Sequence, residues 1–121
     1  MDFEYEAPDG CHYESRQSYV WTGVMKFCGC YSDSLFNLFF DILAKLYRAK
    51  LEGGSYFYEY KNKTEAETDL QELILHALDA HDFAEHGTSV RGCWLTDKGV
   101  ELCKLVWPDG PPSAQRAKEQ E

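Results

Sequence analysis

Two cysteines separated by a single residue, Cys28 and Cys30, are the side chains best suited to chemistry in this 121-residue chain. Cysteine thiolates bind zinc tetrahedrally, and His86 from a later segment could complete a site with them, with Cys93 as an alternative ligand. Structural zinc sites usually separate paired cysteines by two to four residues, and no second closely spaced pair follows. The sequence therefore leaves two alternatives, a zinc site or free thiols.

Nucleophilic catalysis requires a cysteine or serine that a neighbouring base activates. Cys11 and His12 are the only such pair adjacent in the sequence, and they could also replace His86 as metal ligands. Adjacency in sequence does not fix the geometry of a nucleophile and its base. The chain also lacks a glycine-rich phosphate loop, paired histidines at helical spacing and a nucleophile elbow. We therefore predict a protein that is not an enzyme, with zinc as the one cofactor to consider.

A stripe of acidic side chains is the main candidate binding feature. It belongs to a helix predicted from 65 to 80, which begins with a capping box formed by Thr64 and Glu67. Apolar residues at helical spacing predict the buried face of this helix: Ala66, Leu70, Leu73, Ile74, Ala77 and Leu78. The opposite face carries Glu65, Asp69, Glu72, His76 and Asp79. No Lys or Arg occurs between residues 65 and 86, so this face suits a basic partner.

The elements after this helix position the stripe within the fold. A glycine-bearing loop between two short apolar runs predicts a β-hairpin from Phe83 to Leu95, and Thr96 is placed to cap a helix from 97 to 107. In an alternating strand either Cys93 or Trp94 faces the core, and by size we expect Trp94 to be buried against the preceding helix. The order helix, hairpin, helix resembles the second half of a winged-helix domain.

The first half of the chain predicts one strand and the main core helix. Residues 19 to 27 alternate with apolar residues on both faces, which favours a central strand, and a helix is expected from 33 to 52. Tyr56, Tyr58 and Tyr60 share one face of a short strand, where cross-strand packing is favoured over base stacking because few cations are near. The prediction is thus a single α+β domain, residues 1–107, with three helices, a short antiparallel sheet and a disordered tail over 108–121.

Composition indicates the cellular location of the protein and the class of partner it can bind. The formal net charge of −9 repels nucleic acid and anionic membranes, which makes direct DNA binding an unfavoured function. The longest apolar run, residues 35 to 46, is interrupted by Asn37, Asp41 and Lys45, so no membrane span is expected. The acidic start of the chain lacks a secretory signal, and five cysteines is an odd count, so reduced thiols and a cytoplasmic location are expected.

Three segments resemble small proteins of tailed-phage genomes, a family that implies no particular activity or catalytic residue. They are Phe27 to Cys30, Glu85 to Val90 and Trp94 to Gly99, short segments that make up a minor part of the chain. Separately, Trp94 to Leu102 is similar to the strand-to-helix step after the wing of MarR-like regulators, which is winged-helix geometry. The resemblance to tailed-phage proteins implies a viral origin for this chain.

The leading functional hypothesis is a small acidic phage accessory protein in the host cytoplasm. It would bind, and thereby inhibit, a basic host protein that handles nucleic acid, using Glu65, Asp69, Glu72, His76 and Asp79. More broadly, its partner would be a host or viral protein with a basic surface. Its main alternative is a winged-helix transcription regulator that contacts DNA through other side chains: Arg16, Lys26, Arg48, Lys50 or Arg91. A small structural-zinc protein built on Cys28, Cys30 and His86 is the third hypothesis.

Overall fold

A computed structural model describes residues 5–27, 32–54, 56–57, 64–87 and 92–112, and in this part of the chain four helices pack with two small antiparallel sheets. The elements in order are β1 (Tyr5–Glu6), β2 (His12–Tyr13), α1 (Arg16–Ser18), a π-helical segment (Tyr19–Val24), α2 (Asp33–Leu51), β3 (Tyr56–Phe57), α3 (Glu65–Ala80), β4 (Ala84–His86), β5 (Gly92–Leu95) and α4 (Asp97–Val106). The predicted α+β class is confirmed. The three-helix count and the winged-helix assignment are not.

Helix α2 supplies more buried residues than any other described element. Ser32 caps it by accepting a hydrogen bond from the Leu35 amide at 3.1 Å, and Gly53, with a φ of +81°, follows its end. Leu43 and Leu46 are fully buried, and the other buried residues of the helix are Phe39, Phe40, Ile42, Ala44 and Tyr47. The helix predicted over 33 to 52 is therefore confirmed. The prediction succeeded because the apolar residues of this helix repeat at helical spacing.

The strand predicted over residues 19 to 27 is wrong, since residues 19 to 24 are helical. Val20 and Trp21 are buried side by side, and Met25 is buried one turn later, which is a helical rather than an alternating pattern. The Met25 amide donates to the Val20 carbonyl at 2.9 Å, the five-residue spacing of a π-helix. A Cβ on Gly23 would come within 2.9 Å of the Tyr19 ring, so a larger residue there would force this ring to move. Apolar residues on both strand faces had made this segment ambiguous between a helix and a central strand.

The larger sheet has the order β3-β5-β4 with antiparallel pairs throughout. The β4–β5 hairpin pairs Glu85 with Trp94 and His86 with Cys93, which confirms the predicted hairpin strands, whereas its tip at 88–91 lies outside the described residues. Tyr58 and Tyr60 also lie outside them.

Helix α4 is packed tightly against the start of the hairpin. Thr96 caps it, as predicted, by accepting from the Gly99 amide at 3.0 Å, and the Thr96 hydroxyl donates to the Asp82 carbonyl at 2.7 Å. A Cβ on Gly99 would overlap the Phe83 carbonyl oxygen, so only glycine allows this approach. The start of α4 is thereby held beside the turn that follows α3.

The chain after α4 lies against the domain as far as Pro112. The Trp107 ring is stacked on Tyr47 with centroids 6.5 Å apart, and the Arg48 guanidinium donates to the Pro112 carbonyl. The remainder of the predicted tail, 113–121, lies outside the described residues. None of the helices in the described part of the chain combines the length and the apolarity needed to cross a lipid bilayer.

Candidate binding surface on helix α3

Helix α3 begins and ends as its sequence predicts. Thr64 Oγ1 accepts from the Glu67 amide at 3.1 Å, and Glu67 Oε1 accepts from the Thr64 amide at 3.3 Å, so the capping box is complete. The helix closes at Ala80, just before Asp82, whose φ of +65° turns the chain into the hairpin. The surface residues of α3 are therefore held on a helix that is fixed at its start.

The buried face of α3 is rotated by roughly a quarter turn from the predicted one, at 100° per residue. Its buried residues are Gln71, Ile74, Leu75 and Leu78. Leu73 was predicted to face the core but is 64% exposed, and Ala66 is exposed as well. Leu75 and Leu78, both at 0% exposure, are the residues that pack into the core.

The acidic stripe keeps its predicted place on the outer side of α3. Glu65, Asp69 and His76 are exposed, whereas Glu72 and Asp79 are half-buried at the edge of the face. Leu73 follows Asp69 by four residues and precedes His76 by three, so an exposed leucine lies among these polar side chains. Its other two neighbours at helical spacing, Leu70 and Ala77, are apolar and half-buried, so Leu73 lies at the edge of the stripe. An exposed apolar side chain beside charged ones is a combination found at protein-binding surfaces, in which a few residues supply affinity and the charged surroundings select the partner.

The C-terminal end of the stripe contacts the hairpin. Asp79 Oδ2 lies 3.4 Å from His86 Nε2, and His86 Nδ1 lies 2.9 Å from the Gly87 carbonyl oxygen. Both ring nitrogens of His86 thus face oxygen acceptors of the protein itself. In this arrangement His86 serves to link α3 to β4.

The metal hypothesis remains a prediction for two of its three ligands. Cys28 and Cys30 lie outside the described residues. Among the residues that are described, no group of three or more His, Cys, Asp or Glu side chains is arranged to hold a metal ion.

The cysteines of the described core are poorly suited to nucleophilic chemistry. Burial raises the pKa of the Cys93 thiol to about 11, with the Asp79 carboxylate adding to the shift, and burial also raises the pKa of Cys103. Both thiols are therefore protonated at neutral pH, and the thiolate is the nucleophilic form. Cys11 and His12 are exposed on the β1–β2 hairpin, where the Cys11 amide donates to Asp9 Oδ1 at 2.9 Å.

Trp94 faces away from the core, so the prediction that it is buried against α3 is wrong. Cys93 and Leu95 occupy the core face of β5 at 1% and 0% exposure, and alternation places the half-buried Trp94 on the other face. Its indole Nε1–H donates to Glu85 Oε2 at 3.1 Å across the strand pair. The apolar pair Cys93 and Leu95, two residues apart, was the feature of the sequence that could have revealed this register.

Trp94 lines a groove of about 550 Å³ between the end of α3, the hairpin and the start of α4. Four carboxylates and two lysines line it as well: Asp79, Asp82, Glu85, Asp97, Lys50 and Lys98. The sequence predicted a binding role for Asp79 in the stripe and for Lys50 as an alternative DNA contact. It did not predict that they share a groove, because the lining comes together through the turn at residue 82 and the end of α2. The groove adjoins the stripe, since Asp79 belongs to both.

Comparison with protein-family models, with curated proteins and with solved structures finds no match to this chain.

Two of the basic side chains proposed for DNA contact are engaged within the protein. The Arg16 guanidinium donates to the Leu105 carbonyl at 3.1 Å and lies 4.5 Å from the centroid of the Tyr5 ring, and Arg48 is held by the Pro112 carbonyl. Lys26 is exposed, whereas Lys50 lines the groove beside Trp94. Arg91 lies outside the described residues.

Proposed function

We propose that this protein binds a basic protein surface through the outer face of α3 and thereby inhibits a partner that handles nucleic acid. The observation that carries the proposal is Leu73, which is 64% exposed on the face that carries Asp69 and His76. A phage accessory role in a host cell is part of the proposal and rests on the sequence resemblance alone.

Charge placement supports a basic partner. Residues 65 to 86 contain seven acidic side chains and no Lys or Arg: Glu65, Glu67, Asp69, Glu72, Asp79, Asp82 and Glu85. Proteins that hold nucleic acid present clustered Lys and Arg to its phosphates. An acidic helix face is complementary to such a cluster, and by occupying it would exclude the nucleic acid.

Leu73 supports a protein partner over a simple polycation. An exposed leucine gains free energy only when a partner surface removes it from water, at about 25 cal/mol per Å² of apolar area. The carboxylates would guide encounter and fix orientation, whereas Leu73 would slow dissociation.

Binding kinetics of charge-matched variants test the proposal. Immobilised protamine serves as an arginine-rich probe that binds nucleic acid. The variant Glu65→Lys/Asp69→Lys/Glu72→Lys changes the formal net charge from −9 to −3, because each swap adds two charges. Glu6→Lys/Glu14→Lys/Glu101→Lys gives the same net charge from exposed positions on other elements. We expect the stripe variant to associate roughly tenfold more slowly at low salt, and the control to change much less.

Equal slowing by the two variants would show that net charge alone governs binding and would overturn the assignment to α3.

A second pair of variants tests the apolar contact made by Leu73, with a purified basic nucleic-acid-binding protein as the probe. Leu73→Ala should speed dissociation, whereas Leu51→Ala, at a leucine of comparable 61% exposure on α2, should not. No binding to any basic probe would remove the proposed function.

A further inference from the structure

The groove beside Trp94 extends the α3 face and has a chemistry of its own. Asp79 is shared with the stripe, and Asp82, Glu85 and Asp97 add three more carboxylates. Lys98 already donates to the His81 carbonyl at 3.1 Å and lies 5.0 Å from the centroid of the Phe83 ring, so its ammonium is used within the fold. Among the lining residues that the structure describes, four carboxylates against two lysines leave a formal charge of −2. The groove therefore attracts a cation.

Trp94 is the independent observation that indicates a ligand with an apolar part. Its ring is kept out of the core because Cys93 and Leu95 occupy that side of β5. The hydrogen bond from its indole nitrogen to Glu85 Oε2 fixes the ring before anything binds, which lowers the entropy cost of binding. Tryptophan is also the side chain over which a cation is held best, and it is enriched among residues that dominate binding energy.

We propose that the groove receives an arginine side chain of the basic partner, whose guanidinium stacks on Trp94 and pairs with the carboxylates of Glu85 and Asp79. The planar guanidinium matches both the indole face and the two oxygens of a carboxylate, which a compact ammonium does not. The volume of about 550 Å³ accommodates this side chain together with adjacent backbone of an extended segment. The inference rests on the proposed function, because it places one contact of the same basic partner.

A titration with three matched peptides tests the inference on the full-length protein. The peptides are Gly/Ser-rich and differ only at three positions, which hold arginine, lysine or citrulline, the uncharged isostere of arginine. The readout is the indole N–H resonance of Trp94 in ¹⁵N-labelled protein, assigned with Trp94→Phe. We expect the arginine peptide to shift this resonance saturably, the lysine peptide to bind more weakly, and citrulline to have no effect. Trp21, which is 2% exposed, serves as the internal control resonance.

Three variants give the expected magnitudes, and backbone amide shifts follow binding in the two Trp94 variants because these lack the reporting indole. Trp94→Leu should weaken binding of the arginine peptide about fivefold, and Trp94→Phe should weaken it less, because the aromatic face is kept. Glu85→Gln keeps an oxygen to accept the indole hydrogen bond while it removes one charge, so it should weaken binding and flatten the dependence on salt. Unchanged melting temperatures establish that the variants are folded. If a variant does not fold, the wild-type titration with the three peptides still tests whether arginine binds at Trp94.

The outcomes separate this inference from the proposed function. If the arginine peptide shifts backbone amides of α3 but leaves the Trp94 indole unchanged, the groove inference is overturned and the α3 face stands. If the indole shifts equally in wild type and in Glu65→Lys/Asp69→Lys/Glu72→Lys, the groove stands and the α3 proposal fails. Equal binding of the arginine and lysine peptides overturns the choice of a guanidinium. No binding of the arginine peptide overturns the groove inference alone, because these peptides carry no apolar group to contact Leu73.

Discussion

At the scale of single residues, Asp9 organises the β1–β2 hairpin through both carboxylate oxygens. Oδ1 accepts from the Cys11 amide at 2.9 Å, and Oδ2 accepts from the Tyr13 hydroxyl at 2.8 Å. The hydrogen bond from the Cys11 amide, followed by that from Tyr13, lowers the pKa of Asp9. The hydrogen bond to Asp9, followed by desolvation, raises the pKa of Tyr13 to about 12. Tyr13 in turn packs on Tyr19, with ring centroids 5.1 Å apart.

These shifts predict how the stability of the fold depends on pH. The contribution of Tyr13 is complete below its ordinary pKa of 10.0 and is lost as pH rises towards about 12, because the unfolded chain ionises first. The contribution of Asp9 is present above its ordinary pKa of 3.8 and is lost as pH falls below it. Asp9→Asn should move the Tyr13 pKa down towards its ordinary value, as followed by ultraviolet titration of the phenolate with Tyr13→Phe as the reference. An unchanged alkaline titration would contradict this account.

At the scale of elements, the sequence predicts the existence of a helix better than its orientation. The capping box located the start of α3, and Thr96 located the start of α4. The rotation of α3 was missed because its apolar residues, with Leu75 added to those predicted to be buried, extend around much of the helix. In this case packing selects the buried face, and it buries Gln71 while it leaves Leu73 in water. The π-helical segment after α1 was missed for a related reason, because bulky apolar residues on both faces satisfy either period.

The candidate site likewise has one part that the sequence could predict and one part that it could not. The stripe could be predicted because one helix period places its residues together. The groove could not, because it depends on which face of β5 is buried and on the turn at Asp82 that brings α3, β4 and α4 together.

Two leucines of α3 separate the predicted from the observed orientation. Leu75→Ala should destabilise the fold by about 2–5 kcal/mol, because it empties a fully buried site. Leu73→Ala should change stability by about 0.5 kcal/mol or less, because its side chain is already in water. Urea unfolding of the two variants beside wild type gives both values. The reverse order would restore the orientation with Leu73 in the core.

At the scale of the whole molecule, charge is unevenly distributed along the chain. Residues 26 to 63 contain six basic side chains, Lys26, Lys45, Arg48, Lys50, Lys61 and Lys63, against four acidic ones, Asp33, Asp41, Glu52 and Glu59. Part of this positive charge is neutralised locally, since Lys45 Nζ lies 3.1 Å from Asp41 Oδ2. Arg48 is half-buried and bonded to a backbone carbonyl. The acidic side chains of α3 meet no Lys or Arg in their own segment, so the negative field is the stronger one.

This distribution predicts that the protein does not bind duplex DNA at physiological salt. Contacts to phosphates supply most of the non-specific affinity for DNA, and that affinity falls steeply as salt rises. A duplex that approached α3 would meet like charge, and Arg16 and Arg48 are already bound to backbone carbonyls. A gel-shift titration with a random-sequence duplex should therefore show no complex, and Arg48→Gln/Lys50→Ala should behave like wild type. Sub-micromolar binding by the wild type that this double variant abolishes would instead support a DNA-binding regulator, because the cations around the end of α2 would then have to be the phosphate-contacting surface.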